Sequence, residues 1–486
     1  MTKVSVRSVL SRVSRYIEVV LDSFKRNDSV VFEAYPGFGK SFLGLSVLRA
    51  FNTGLYVTRT IAEMNVVMNI GELMNIDIRP LYGRTQLCTK FSSIEVVELF
   101  YKLCRAHRVV GLCKESTEKE IVDRFSSIRD PEEVKALGKA LGVCPYRPHL
   151  LASLSKRYVV TTYEFVVHHR TLRQLDRDVA IYDECHSILD LVDLYVQKLD
   201  RYELTAMAEN IRNYFPKLAY ILKSIAKRCE SVDELLDTLV KVVEEGIEGS
   251  ELFDDIVSAY LSNRVYIDRD TDTAYLLVKH IELELGRRKL YMTAYVPPFL
   301  ITKKVFVRVE DPPLRIPVTI DTSLTSRYTA RGPDFAQKLA EVILQYIDRG
   351  CANLIVLPSK KLSEDVERIL LAKGFRIAPP QAIDKVSEGT LVIDVAGGIA
   401  TEGITPSKAL KRVIVAGMPY PAPDPKLNVL AKVYGFNNVY TYIALLRTVQ
   451  AVGRLMRWGG TAVLIDSRFA EYRSMLPSWI EVTEVV

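Results

Sequence analysis

Ala34-Tyr35-Pro36-Gly37-Phe38-Gly39-Lys40-Ser41 follows a short apolar run, Ser29 to Glu33, and opens a segment of helical spacing, Phe42 to Ala50. Strand, glycine loop and helix in that order make the phosphate-binding unit of a parallel α/β sheet. Gly37 and Gly39 let backbone N–H groups curl around phosphate oxygens, and the helix N-terminus adds the positive end of its dipole. Lys40 is placed to reach the β and γ phosphates, and the Ser41 hydroxyl to hold Mg²⁺. Two residues depart from the usual pattern: Ala34 stands at its first glycine, and Phe38 is bulky for such a loop.

Around this unit the first ninety residues alternate helix and strand. Val9 to Lys25 has helical apolar spacing, and Leu55 to Thr58 supplies another short strand. Buried β-like runs return at Tyr158–Thr162 and Val179–Tyr182, and again at Lys289–Thr293. Between them, Thr85 to Pro148 loses strand character, and Leu189 to about Asn263 is almost wholly helical in pattern. A second α/β unit is expected from near Thr329, with helices at Phe335–Asp348 and Ser363–Ala372. Its strands are expected at Asn353–Leu357, Thr390–Asp394, Arg412–Ala416 and Ala462–Asp466. The fold class is therefore α/β, with two parallel-sheet domains and two insertions in the first.

Val179-Ala-Ile-Tyr-Asp183-Glu184-Cys185-His186 ends a strand in adjacent carboxylates. After a phosphate loop this places Asp183 beside the metal and makes Glu184 the candidate general base. Gln450-Ala-Val-Gly453-Arg454-Leu-Met-Arg457 lies in the second unit, with its arginines three residues apart and so on one side of a helix. Two guanidiniums from a separate domain are what closing a cleft onto a γ-phosphate requires.

A chain of 486 residues is too long for one core and predicts several domains. Its apolar runs are broken by charge within a turn or two, and no secretion-signal pattern opens it. A cytoplasmic protein is expected. The net charge of +6 agrees with binding a phosphate backbone without establishing it. Of seven cysteines, Cys88, Cys104, Cys113 and Cys144 fall in one segment, while Cys185, Cys229 and Cys351 are scattered as small hydrophobes. No close cysteine pair of the zinc-knuckle kind occurs. Long spacers suit a [4Fe–4S] cluster, while zinc, buried thiols or disulfides stay open on spacing alone. Basic and aromatic residues interleave at Arg84, Lys90, Phe91, Tyr101 and Lys102, and at Arg327, Tyr328 and Arg331. Either group taken alone reads first as a solvated face, though a single strand needs such cationic, stacking surfaces.

The loop, the Asp-Glu-x-His box and the Gln-x-x-Gly-Arg-x-x-Arg run resemble motifs I, II and VI of superfamily 2 helicases. Val57-Thr58-Arg59-Thr60 looks like motif Ia, Pro358-Ser359 like motif IV and Thr401-Glu402-Gly403-Ile404 like motif V. Gly417 to Asp424 resembles the proline-rich segment of the XPD/DinG branch, and the compact length resembles its archaeal members. Two departures stand out. The adenine-reading Gln is not evident, Arg12-Val-Ser-Arg15 lying in its region. Motif III reads Met292-Thr293-Ala294-Tyr295, where the family has Ser-Gly/Ala-Thr.

The resemblance implies two RecA-like motor domains. The first spans 1–86, 146–188 and 287–326, interrupted by an iron–sulfur domain at 87–145 and a helical arch at 189–286, and the second spans 327–486. It implies ATP and Mg²⁺, the latter on Ser41 and Asp183, with Glu402 and Gly403 joining the nucleotide site. Lys40, Asp183, Glu184, His186, Gln450, Arg454 and Arg457 are the implied catalytic set. Because the family places four cysteines between motifs Ia and II, the last followed by Pro-Tyr as in Cys144-Pro145-Tyr146, it also implies a [4Fe–4S] cluster. The implied activity is 5′→3′ translocation on single-stranded DNA with unwinding of forked DNA in repair, by a monomer. A non-catalytic nucleic-acid-binding scaffold and an RNA-directed ATPase are the alternatives.

Overall fold

The computed structural model describes residues 3–91, 97–168, 173–247, 250–279, 285–297, 305–309, 312, 314–401 and 404–486. The apolar runs around the phosphate loop become β1 (Ser29–Glu33), β2 (Gly54–Thr58), β3 (Ile78–Pro80), β4 (Tyr158–Thr162) and β5 (Val179–Tyr182). β6 (Val196–Leu199), β7 (Val265–Asp268) and β8 (Thr273–Leu277) form a separate antiparallel sheet in the order β6-β8-β7. β9 (Arg288–Thr293) and β10 (Val305–Arg308) return to the first sheet, whose order is β10-β1-β9-β5-β2-β4-β3 with every neighbouring pair parallel. β2 and β5 are buried along their whole length, which is why they read as unbroken apolar runs.

The second sheet is also parallel throughout. It is built from β11 (Ile316–Asp321), β12 (Ala352–Leu357), β13 (Arg376–Ala378), β14 (Thr390–Val395), β15 (Leu410–Ala416), β16 (Thr461–Ile465) and β17 (Ile480–Val485), in the order β13-β14-β12-β15-β16-β11-β17. Along β12 the pleat divides its side chains. Leu354 and Val356 enter a core continuous with the first sheet, while Ile355 and Leu357 meet the helices Phe335–Tyr346 and Lys360–Ala372 on the other face.

Two expectations need correction. The second unit begins before Thr329 and before 327, because β11 already pairs with β16 and β17. The block after β5 is not wholly helical. Its helices, including Arg201–Ile211, Pro216–Arg228, Val232–Glu244 and Glu251–Leu261, share a core with the small β6-β8-β7 sheet. Lys432, on the second unit's helix Pro425–Tyr434, donates to the Asn263 side chain and the Val265 carbonyl at 2.8 Å each, tying this insertion to that unit. Among the described residues no helix is long and apolar enough to cross a membrane.

Candidate nucleotide site between the two sheets

The loop from Ala34 to Ser41 leaves β1 and enters α2 (Lys40–Arg49), with Gly37 at φ +82° and Gly39 at φ +107°. Only glycine takes that backbone readily. At Gly39 the packing adds a second reason, because a β-carbon would lie 2.6 Å from Val9 Cγ1 of α1 (Lys3–Ser23). Phe38 does not fill the phosphate cradle. It turns inward against Tyr16, Phe32 and Tyr35, with ring centroids 5.4–5.5 Å apart, so the bulky residue anchors the loop on α1 and β1. The Ala34 amide donates to the Thr293 carbonyl of β9 at 3.1 Å. In the region without the adenine-reading Gln, the Arg15 guanidinium lies over the Tyr16 ring.

The carboxylates meet this loop from the end of β5. Lys40 Nζ lies 3.2 Å from Glu184 Oε1, and Ser41 Oγ donates to Asp183 Oδ2 at 3.3 Å. Tyr56 on β2 donates to the same Asp183 oxygen at 2.7 Å, a partner that no sequence pattern announces. Burial, together with the Glu184 charge, pushes the Asp183 carboxyl up to about 6. At Glu184 burial works in the same direction, but Lys40 and His186 outweigh it and hold this carboxyl below its ordinary value. The turn after β5 carries Glu184 at φ +46°, a strained conformation for a side chain of this size and one that concentrates at working sites. Ser41 and Asp183 bring together two oxygens that could hold a Mg²⁺ whose shell phosphate and water complete.

His186 joins the two sheets. Its Nδ1 sits 2.9 Å from Thr293 Oγ1, and its Nε2 lies 3.4 Å from Gln450 Nε2 on the second unit's helix Tyr442–Val452. The cleft there, about 210 Å³, is lined by Pro36, Glu184 and His186 from one side and Gln450, Gly453 and Arg454 from the other. Arg59 and Glu63 line it too, and they stand at and just after the motif Ia-like run.

Gly453–Arg457 is a 3₁₀ turn, not the α-helix that the arginine spacing suggested, and its two arginines find different partners. Arg454 donates to the carbonyls of Thr401 and Ile404 at 2.6 and 2.8 Å and lines the cleft. Arg457 donates to Thr405 Oγ1 at 2.6 Å and does not line it. Glu402 and Gly403 lie outside the described residues.

Beyond the C-terminal ends of the second sheet, Arg327, Tyr328 and Arg331 come together with Tyr420, Phe436 and Arg468 around a cavity of about 620 Å³. Ser359 caps the helix Lys360–Ala372 at its rim, and the Tyr328 ring is 89% exposed. Arg468 stacks over Tyr420 while paired with the buried Asp466 at 2.7 Å.

Three of the four clustered cysteines are brought to one region: Cys104 and Cys113 line one cavity, and the Cys144 amide donates to the carbonyl of Lys114, next to Cys113, at 2.7 Å. Arg84 lines the same cavity as Cys104, lies over the Tyr146 ring and pairs with Glu115 at 2.9 Å. Lys90 donates to the Leu112 carbonyl, and Tyr101 lines the cavity that holds Cys104 and Cys113. Burial pushes both Cys104 and Cys144 up, Cys144 to about 11, so a metal would have to displace their protons. Among the described residues no three such side chains already stand in a metal-holding arrangement.

Residues 53–199 match the family profile DEAD_2, and residues 348–483 match the profile described as Helicase C-terminal domain. The XPD ATP-dependent DNA helicase of Sulfolobus acidocaldarius is 24% identical over 90% of this chain and 91% of its own. The chain belongs to the XPD family of superfamily 2 helicases. The CHL1 helicase of Sclerotinia sclerotiorum is 28% identical over 36% of this XPD-family chain, a match spanning about 22% of that relative. A solved XPD helicase shares the fold with a TM-score of 0.64 at 18% identity, covering 98% of this chain and 99% of the other.

Proposed function

We propose that this XPD-family chain is an ATP-driven helicase that tracks along single-stranded DNA from 5′ to 3′ and separates forked duplexes, in DNA repair. The observation that carries the reading is the position of Glu184: it pairs with Lys40 in the pocket lined by Ser41 and Asp183, and it faces Gln450 and Arg454 across the cleft between the two sheets. Such a site is complete only when both sheets close on the same nucleotide.

In this reading Lys40 and the loop amides hold the β and γ phosphates. Ser41 and Asp183 would hold Mg²⁺, which when bound neutralises charge on those phosphates. Glu184, kept ionised by Lys40, orients the attacking water and accepts its proton. Arg454, held by the Thr401 and Ile404 carbonyls, meets the charge that develops on the γ-phosphoryl group. Such a finger contributes about 10³–10⁵ in rate.

The cavity around Tyr328, Phe436 and Arg331 supports the single-strand reading, since it offers stacking faces, guanidiniums and a helix N-terminus on one surface. Cys88, Cys104, Cys113 and Cys144 would hold the [4Fe–4S] cluster, which when bound supplies rigidity to the 87–145 segment. Cys104 and Cys113 share one cavity with Cys144 tied to the residue after Cys113, and four cysteines are its donor set. The helical insertion at 189–286 is the arch in this reading.

Strand separation tests the proposal. With ATP and Mg²⁺, a duplex with a single-stranded 5′ tail should be unwound and one with a 3′ tail left intact. Equal unwinding of both would refute the polarity, and no unwinding of either would refute the helicase.

A further inference from the structure

Tyr295 occupies the last position of the motif III-like run, and its ring is 7% exposed. It stacks on Tyr442 of the second unit, with centroids 5.1 Å apart and planes 9° from parallel. The Tyr442 hydroxyl donates to the Tyr295 carbonyl at 2.8 Å, and Tyr442 is fully buried.

Contacts lead from this pair into both halves of the nucleotide site. The Tyr295 amide donates to Thr293 Oγ1 at 3.2 Å, and that hydroxyl meets His186. The Thr293 carbonyl accepts from Ala34, the first residue of the phosphate loop. Tyr442 begins the helix that carries Gln450, which returns to His186 from the other side. The contacts therefore close a ring through Tyr295, Thr293, His186, Gln450 and Tyr442.

We propose that Tyr295 and Tyr442 are positioning residues, an interdomain clamp that sets where the second sheet's helix delivers Gln450 and Arg454 to the nucleotide. The proposal rests on the ATPase reading and adds to it the element that sets the register of cleft closure. Neither ring lines the nucleotide cleft, so the clamp acts through its neighbours. A stacked aromatic pair with a buried hydrogen bond resists sliding, because partial displacement loses ring contact and takes the buried Tyr442 hydroxyl away from its acceptor.

The test is steady-state ATP hydrolysis with single-stranded DNA by the full chain, with thermal melting to show that each variant folds. Tyr442→Phe removes only the hydroxyl that reaches Tyr295. It should lower kcat about tenfold, with KM for ATP within about twofold of the parent. Tyr295→Ala should do the same, Tyr295→Phe should restore the parental rate, and the double variant Tyr295→Ala/Tyr442→Phe should cost less than the product of the singles. An active parent whose Tyr442→Phe and Tyr295→Ala variants both keep full kcat would overturn the clamp alone. A parent that hydrolyses no ATP on any nucleic acid would take down the ATPase reading and the clamp with it.

Discussion

Gly453 of the second unit stands so close to Pro36 of the phosphate loop that a β-carbon on it would lie 2.9 Å from the proline Cγ. Its φ is −59°, so the absence of a side chain here serves approach between domains and not backbone freedom. A proline ring cannot swing aside as a flexible side chain would.

Gly453→Ala should therefore hold the cleft slightly open. Misplacement of reacting groups by a fraction of an ångström to one ångström costs up to about 10²-fold. DNA-stimulated kcat should fall at least tenfold while nucleotide affinity, measured by titration calorimetry, changes little. Unchanged turnover would mean that the sheets need not approach this closely.

Glu184→Gln keeps the shape of the side chain and removes its charge. Nucleotide binding should persist, and hydrolysis should fall by about 10²–10⁴, the usual contribution of a general base. Binding and turnover should be measured on one preparation. Parental turnover would remove Glu184 from its role.

The arginines should separate. Arg454→Ala loses the guanidinium that lines the cleft and should cut kcat by about 10³. Arg457→Ala loses a partly exposed bond to Thr405 and should cost less than about tenfold. Equal losses would mean that the turn rearranges when nucleotide binds.

Legibility in the sequence followed how local each signal is. β1, β4 and β5 and the phosphate loop read directly, because buried parallel strands are short apolar runs and the loop's glycines sit at fixed offsets. β11 was hidden by Pro317 inside it and by Pro312 and Pro313 before it, which mask a strand that lies between β16 and β17. The small β6-β8-β7 sheet was hidden because its strands come from both ends of a helical block. Within the site, Lys40, Asp183 and Glu184 were found by motif. The division between Arg454 and Arg457 was not, because it depends on carbonyl and hydroxyl partners some fifty residues away. Tyr442 carries no local signal at all, since its importance comes from where a different domain places Tyr295.

Asp466 gives a stability prediction with a defined pH window. Burial alone would raise its carboxyl, but Arg468, the Ser326 hydroxyl and the Met418 amide more than offset this and hold it at about 2. A depressed folded-state value means that the stabilisation is complete above the unfolded value of about 3.9 and is lost as pH falls from there through about 2. It should amount to about 2–3 kcal/mol. Asp466→Asn should lower stability by a similar amount at pH 7 and flatten the loss below pH 4, as read by denaturant titration across pH. Parallel pH profiles would show that another carboxylate controls acid unfolding.

ATP turnover by the purified full chain, with and without single-stranded DNA, tests the central claim most directly. A cleft completed by groups from two sheets predicts slow hydrolysis alone and stimulation of at least about tenfold by single-stranded DNA, with both rates lost in Glu184→Gln. Turnover that is absent with every nucleic acid, or that Glu184→Gln leaves intact, would contradict the account.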